Sequence, residues 1–324
     1  MKYLLNKIAF FLITLWVAMT INFILPRLMP GNPAIAMIAR YKGRISIQAL
    51  HSIEVAFGLN VHQNIFQQYF AYLERTLTFN FGTSLVYYPL SVSQEIATHM
   101  PWTIGLMGIT TVISFVVGTW IGIKAAWKRN SPLSSSSVVI SLFLNSVPYF
   151  WIALLFQYIF GFALGWFPIS GAYSVVQAGG IKMIGSILYH ATLPALTIFI
   201  TSMGGWILTM RNNMIDELSS DYSLFAYAKG LPEKRIEYNY VARNAILPNF
   251  TQFAMAIGFI VSGALLTEMV FSYPGIGYIL YQSVIGLDYP LMQALFFFIT
   301  LSVLVANFIM DLLYIVVDPR VRVE

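Results

Sequence analysis

Residues 226–248 read AYAKGLPEKRIEYNYVARNAILP, a charged interruption between two runs, 193–210 and 253–271, that are apolar enough to lie in a membrane. A solvated loop would explain the charge. It would not explain the punctuation. Ser219, Ser220 and Asp221 offer an N-cap for a short helix that can run through Lys229. Gly230 suits the left-handed residue that ends a helix, and Pro232 the first turn of the next. Beyond it Glu233, Lys234, Arg235 and Glu237 alternate with Ile236, Tyr240 and Val241, until Leu247 and Pro248 return the chain to the bilayer. The pattern predicts a helix, a break and a second helix: an elbow that projects from the membrane, with Glu237 among its exposed charges.

Around this elbow the composition is that of a polytopic membrane protein. Of 324 residues, 58% are hydrophobic and 10% charged, with a mean hydropathy of +0.73, outside the range of soluble domains. A helix needs about 20 apolar residues to cross ~30 Å of hydrocarbon at 1.5 Å per residue. Six segments qualify: 8–25, 104–123, 138–164, 193–210, 253–271 and 291–317. The third contains Pro148 and is expected to kink there. The first is too long for a signal-peptide core and ends at Pro26-Arg27 without a small-residue cleavage site, so it reads as a retained span.

Orientation follows from cations in short loops. With the N-terminus inside, Lys2, Lys7, Lys124, Lys128, Arg129, Arg211, Lys229, Lys234, Arg235, Arg243, Arg320 and Arg322 are cytoplasmic. The short external loops then hold only Lys182, while Arg27, Arg40, Lys42, Arg44 and Arg75 lie in or beside one long loop where the rule has little force. Both termini are expected in the cytoplasm. The layout is a first helix (1–28), an extracytoplasmic helical module (29–102), a membrane core (103–318) with its elbow at 219–247, and a short tail (319–324). Within the module, Ser46 can cap a helix carrying Ile47, Leu50, Ile53 and Phe57, with Gly58 placed to stop it; Ile65, Tyr69, Phe70, Leu73 and Leu77 mark a second amphipathic helix.

The chemistry expected of other classes is missing from the sequence. Cysteine is absent, which removes thiolate metal sites and cysteine nucleophiles. His51, His62, His99 and His190 all fall in expected external segments, and no HExxH, G-x-S-x-G or GxxxxGK[ST] pattern occurs. No enzyme activity, metal or bound cofactor is therefore expected. The net charge of +5 comes without basic stretches interleaved with aromatics, so nucleic acid is not an expected partner. An ion-coupled carrier needs ionisable groups deep in its spans, and the clear candidate is Asp311, near the cytoplasmic end of the last one. Gly204-Gly205, and Gly258-x-x-x-Ser262 with Gly263, let helices approach closely. With Asn145 and Ser146 of the third span, Gly258 and Ser262 are also candidates to line a path that opens and shuts.

At this point the residues resemble a family. D-Y-S-L-F-A-Y-A-K-G-L from Asp221 and R-N-A-I-L-P from Arg243 resemble the cytoplasmic signature loop of permeases of ATP-binding-cassette importers, in the subfamily for dipeptides, oligopeptides, nickel or oligosaccharides. Further matches follow in order along the chain: L-M-P-G-N-P-A from Leu28, N-F-G-T-S-L from Asn80, P-Y-F-W-I-A-L-L from Pro148, G-W-F-P-I-S-G from Gly165, H-A-T-L-P-A-L-T from His190, E-M-V-F-S-Y-P-G-I-G from Glu268, D-Y-P-L-M-Q-A from Asp288 and D-P-R-V-R from Asp318.

The resemblance implies an all-α membrane protein with the six transmembrane helices of the type I importer permease fold, in a bacterial or archaeal plasma membrane. It implies a homologous second permease completing the channel, two cytoplasmic ATPases that carry the ATP and Mg, and an external substrate-binding protein. The long first external loop is similar to that of the first, B-type permease of such pairs. Asp221, Ala226, Lys229, Gly230, Leu231 and Arg243 then fall in the ATPase-coupling signature, with Ala226 and Gly230 letting the short helix seat in a groove on the ATPase. Leu224, Phe225 and Tyr227 depart from the Arg, Thr and Arg common there and make the docking face greasier. Peptides, oligosaccharides and nickel complexes all use such permeases; the scarcity of intramembrane charge favours larger solutes over a bare metal ion. A self-sufficient channel or secondary carrier is the rival from another class.

The charge asymmetry makes a direct expectation in this cysteine-free chain. Ser135→Cys and Ser219→Cys should be shielded from an impermeant thiol reagent in intact cells, whereas Thr83→Cys should react. Labelling of Ser219→Cys from outside would invert the topology.

Overall fold

The computed structural model describes residues 2–31, 64–174 and 180–317. The helix expected from Ser46 to Gly58, with His51 and His62, the D-P-R-V-R tail and the side chain of Asp311 lie outside the described residues. The rest is helical: α1 (Lys2–Leu28), α2 (Ile65–Leu77), α3 (Val92–Trp127), α4 (Pro132–Ser146), α5 (Tyr149–Ala163), α6 (Gly180–Leu218), α7 (Asp221–Ala228), α8 (Glu233–Gly258), α9 (Leu265–Val270), α10 (Ile276–Ile285) and α11 (Tyr289–Val317). Four helices are long and apolar enough to cross a membrane, and the number rises to six if α4–α5 and α8–α9 each count as one bent span. At 36 and 39 residues, α3 and α6 are about 55 Å long and outrun the hydrocarbon layer.

The third expected span is not a kinked helix but two arms at 95°. Pro148 lacks the N–H that would continue the helix, and it drives Val147 into extended backbone (φ −88°, ψ 127°). The fifth expected span also breaks. It turns by 42° after Gly258, through a 3₁₀ turn (Ile260–Ser262) and Gly263 at φ +71°. Gly258 and Ser262 therefore do not share one continuous helical stripe.

The chain divides into two compact units. The first comprises residues 1–103, 261–265 and 274–324. Here α1 packs along α11, and the head of α3 (Val92, Ile96) joins Ile276, Ile279 and Leu280 of α10 and Leu291, Ala294 and Leu295 of α11 in one buried cluster. Asp288, fully buried, ties this unit together. Its carboxylate accepts from Leu291 N at 3.1 Å, capping α11, and from the Ser84 hydroxyl and Val86 N (2.9 Å) on a segment some two hundred residues away. Burial pushes this carboxyl's pKa up, and the hydrogen bonds from Ser84, Val86 and Leu291 oppose the shift.

In the second unit (104–260 and 266–273), α6 is the central post, against which α4, α5 and α8 pack. Backbones come close where side chains are small. A Cβ on Gly118 of α3 would fall 2.6 Å from Trp206 Cβ, and one on Gly122 2.8 Å from both Met210 Cβ and the Ile207 carbonyl oxygen. This Gly-x-x-x-Gly pair on α3 is the tighter small-residue contact with α6. Of the two glycines of α6 expected to pack, Gly204 does so, with a Cβ position 3.1 Å from the Ser141 carbonyl oxygen, while Gly205 faces open space.

Replacing Asp288 by Ala should cost about 2–4 kcal/mol, since it removes a helix cap and strands buried donors at once. Asn keeps an acceptor and should cost less. Thermal unfolding in detergent would rank the two; equal melting points for wild type and Asp288→Ala would show the carboxylate to be dispensable.

Candidate functional site

The elbow lies wholly in the second unit. After Leu218 the chain leaves α6, and Ser219 and Ser220 donate their hydroxyls to the carbonyls of Asp216 (2.8 Å) and Glu217 (2.6 Å). They therefore close the C-terminus of α6 rather than cap the amides of α7, although Ser220 holds the N-cap position in extended backbone. Asp221 opens α7, where an acid is favoured by the helix dipole. The helix ends as its sequence foretells. Gly230 adopts φ +66°, its N–H reaches the Tyr227 carbonyl at 2.9 Å, and Leu231 N reaches the Ala226 carbonyl at 3.4 Å. This paired closure is a Schellman motif. Pro232 then precedes α8 by one residue, at its N-cap.

α7 has two faces. Ser223 and Ala226 point into the chain, where Ala226, 1% exposed, joins Ile123 and Ala126 of α3, Met210 and Met214 of α6, and Ile236, Val241, Ala242 and Ala245 of α8. Leu224, Phe225 (61% exposed) and Tyr227 point outward. The Lys229 ammonium lies 4.6 Å from the centre of the Phe225 ring, and Tyr227 stacks near Trp127 at the end of α3, centroids 6.4 Å apart. Burial raises the pKa of the Tyr227 hydroxyl, with Glu233 adding to the shift.

Two expectations are corrected here. Ala226 is small because its own chain packs over it, not because a partner does; the periodicity of α7 puts it on the inner side with Ser223. Glu237 is not an exposed charge. It is 3% exposed and holds the Lys124 ammonium at 2.8 Å, with Lys124 also 4.8 Å from the Tyr238 ring, so it fastens the start of α8 to the end of α3. The π-helical stretch Ile236–Ala242 widens the turn there.

The other expected coupling residues divide by exposure. Asp221, Lys229, Gly230 and Arg243 are exposed, and Leu231 is half-buried against the elbow cluster. Among the residues expected to line a path, Asn145 and Ser146 are exposed just before the break between α4 and α5, with Ser146 bonded to the Leu142 carbonyl. Gly258 is half-buried at the end of α8, and Ser262 falls in the other unit. Sequence reasoning passed over Glu268. It is fully buried in α9, so Asp311 is not the sole candidate for an ionisable group inside an apolar run; its position within 253–271 was the available signal. Among the described residues no cluster of three His, Cys, Asp or Glu side chains is arranged to hold a metal ion.

Long apolar helices, two broken apolar runs and a capped polar elbow describe a multi-pass membrane protein. Residues 118–323 match the family of binding-protein-dependent transport system inner membrane components, and the chain belongs to that family. It is 30% identical over 302 residues to the oligopeptide transport system permease protein AppB of Bacillus subtilis, covering 93% of each chain. It is 31% identical to the dipeptide transport system permease protein DppB of Lactococcus lactis and 30% identical to the glutathione transport system permease protein GsiC of Salmonella paratyphi A, in both cases over 99% of each chain. The protein is thus an all-α, multi-pass permease subunit of an ATP-binding-cassette importer with the type I permease fold.

The two faces of α7 should separate by mutation. Ala226→Arg forces a charge and bulk into the chain's own core and should destabilise the elbow by about 3–5 kcal/mol, read as new protease cleavage near residues 219–247. Glu237→Gln should cost about 1–3 kcal/mol by weakening the bond to Lys124. Phe225→Ser should leave protease resistance unchanged. Resistance retained by Ala226→Arg would place that side chain on the outside after all.

Proposed function

We propose that this permease pairs with a homologous second permease to form an import path for peptides, delivered by an external binding protein and driven by two cytoplasmic ATPases, one of which seats on its elbow. The observation that carries this reading is the outward row Leu224, Phe225 and Tyr227. These are apolar side chains on a polar projection, held by an inner face that packs on three other helices. Exposed aromatics beside Lys229 suit a desolvated protein contact far better than water. Asp221, Gly230, Leu231 and Arg243 frame that contact, and Ala226 supports it from beneath.

Under this reading the termini and the elbow are cytoplasmic. The chain binds no ATP or Mg and performs no hydrolysis; both ligands reside in the ATPases. Closure of the ATPases displaces α7, and the displacement passes through the shared cluster into α3, α6 and α8. Asn145, Ser146, Gly258 and Ser262 sit at the breaks of the two bent spans, where a change of bend would open or close the path. Peptides are favoured over oligosaccharides or nickel complexes by the named substrates of the relatives.

Uptake into proteoliposomes tests the assignment. The chain alone should move no labelled peptide, whereas the co-purified assembly with its binding protein should do so only with ATP. Phe225→Asp should abolish ATPase retention and uptake together while the two permeases still co-purify. Nucleotide-independent peptide flux by the isolated chain would make it a self-sufficient channel or carrier.

A further inference from the structure

α2 lies within the 29–102 segment in sequence, yet it packs against α1 and α11. Its inner side, Tyr69, Tyr72 and Thr76, faces α1 and α11. Tyr69 hydroxyl and Thr20 Oγ1 are 2.7 Å apart, Phe23 lies against both Tyr69 and Tyr72, and Phe297 of α11 completes the buried cluster with Met19 and Phe23. These partners are within the spans. Thr20 precedes Leu25, the last residue of the first apolar run, by five positions, and Phe297 follows Leu291, the first residue of the last run, by six; at 1.5 Å per residue both sit roughly 7–9 Å inside the apolar boundary. Arg27 marks that boundary. Its guanidinium donates to the Phe23 carbonyl (2.8 Å) and to Gln68 Oε1 (3.0 Å) and covers the Phe23 ring, as a cation does where a span meets water.

The remaining circumference of α2 is divided. Gln67, Glu74 and Arg75 occupy one exposed side, while Phe66 and Phe70, each 66% exposed, and Leu77 form an apolar stripe between that polar side and the buried one. Phe79 is a further exposed aromatic residue past the helix end. It is exposed at φ +56°, a conformation bulky side chains rarely adopt, and its ring lies 6.0 Å from Phe297. Near the same end α1 also exposes apolar side chains, Ile21, Ile24, Leu25 and Leu28.

We propose that α2 is an interfacial helix, its Phe66, Phe70 and Leu77 stripe immersed in acyl chains of the leaflet on the side of the 29–102 loop and its Gln67, Glu74 and Arg75 edge in the headgroups. The polar edge and apolar face, at a depth set by Thr20, Phe23 and Phe297, match the about 5–10 Å immersion of amphipathic interfacial helices. A soluble protein docked on this stripe would have to enter the hydrocarbon layer. The inference depends on α1 and α11 as membrane spans and not on the transported substrate.

Nitroxide labels placed by Phe66→Cys, Phe70→Cys, Leu77→Cys, Gln67→Cys and Glu74→Cys, with Ile24→Cys as lipid reference, test it in the full-length protein co-purified with its partners in phospholipid nanodiscs. The ratio of oxygen to nickel-chelate accessibility should be several-fold higher at positions 66, 70 and 77 than at 67 and 74, and should match position 24. Chelate access at all five α2 positions would put the helix in water. Exclusion of both reagents from 66, 70 and 77 would mean that protein covers the stripe. Either result overturns the proposal. As a check free of mutation, diazirine-bearing lipid should label the peptide containing Phe66 and Phe70 in the unmodified chain, and its absence from the adducts would count equally against it.

Discussion

In hydrocarbon a broken helix finds no water for its freed amides and carbonyls, so each interruption of a span has to supply its own partners. The two bent spans show how this chain does so. At the first break Pro148 has no amide to satisfy, Val147 N still reaches the Phe143 carbonyl at 3.2 Å, and Trp151 N takes up the Pro148 carbonyl at 3.0 Å. Below it α5 loosens into π-helical turns, and Gln157 sends its amide to the carbonyls of Ile169 (3.0 Å) and Val270 (2.7 Å). The Phe271 carbonyl, just past the end of α9, is taken by Gly171 N at 2.9 Å. One polar side chain and one loop amide thus close the end of α9.

The same constraint explains where polar side chains sit among the packed helices of the second unit. Ser114 bonds the Thr110 carbonyl and lies 3.2 Å from the Ser202 hydroxyl, while Asn249 of α8 donates to Thr119 of α3 at 3.3 Å. Hydrogen bonds of this kind hold helices together where apolar burial gives little net drive, since lipid is as apolar as leucine. Gly118 and Gly122 complement them by letting α3 lie directly on α6. Aromatic packing fills the wider spaces above: Phe115 stacks on Phe253 at 4.2 Å and meets Trp206 edge-on at 5.4 Å.

What the sequence discloses follows the range of the physics involved. The apolar runs, the Gly230 turn and the amphipathic helix from Ile65 to Leu77 are local, and the structure has each of them. Family membership was legible in the ordered motifs, and the matched family and relatives agree with it. Pro148 announced a kink, but its size depended on how α5 packs along α6. The inward turn of Ala226 and the burial of Glu237 depend on α3 and α6, more than a hundred and about ten residues away in the chain. No window around 226–248 contains that information. Gly118-x-x-x-Gly122 was written in the sequence and passed over, as was Ser84 with Asp288, quoted as separate motifs although each exists to complete the other.

An elbow can transmit displacement only if it is stiffer than the contact that moves it, and this one is stiffened at three points. The Schellman closure locks the joint between α7 and α8. The buried carboxylate of Glu237 binds α8 to the part-exposed Lys124, and removing Lys124 would leave that carboxylate without its cation. Ala226 brings α7 into one buried cluster with Met210 and Met214, whose flexible thioethers suit an irregular contact. Under the proposed coupling, a load on Phe225 would pass through the inner face of α7 into the cluster it shares with α3, α6 and α8. The exposed residues of the elbow can vary with the partner they meet, whereas the buried ones answer to the rest of the chain. Leu224, Phe225 and Tyr227 lie on the exposed side, above an inner face that closes on the chain's own core.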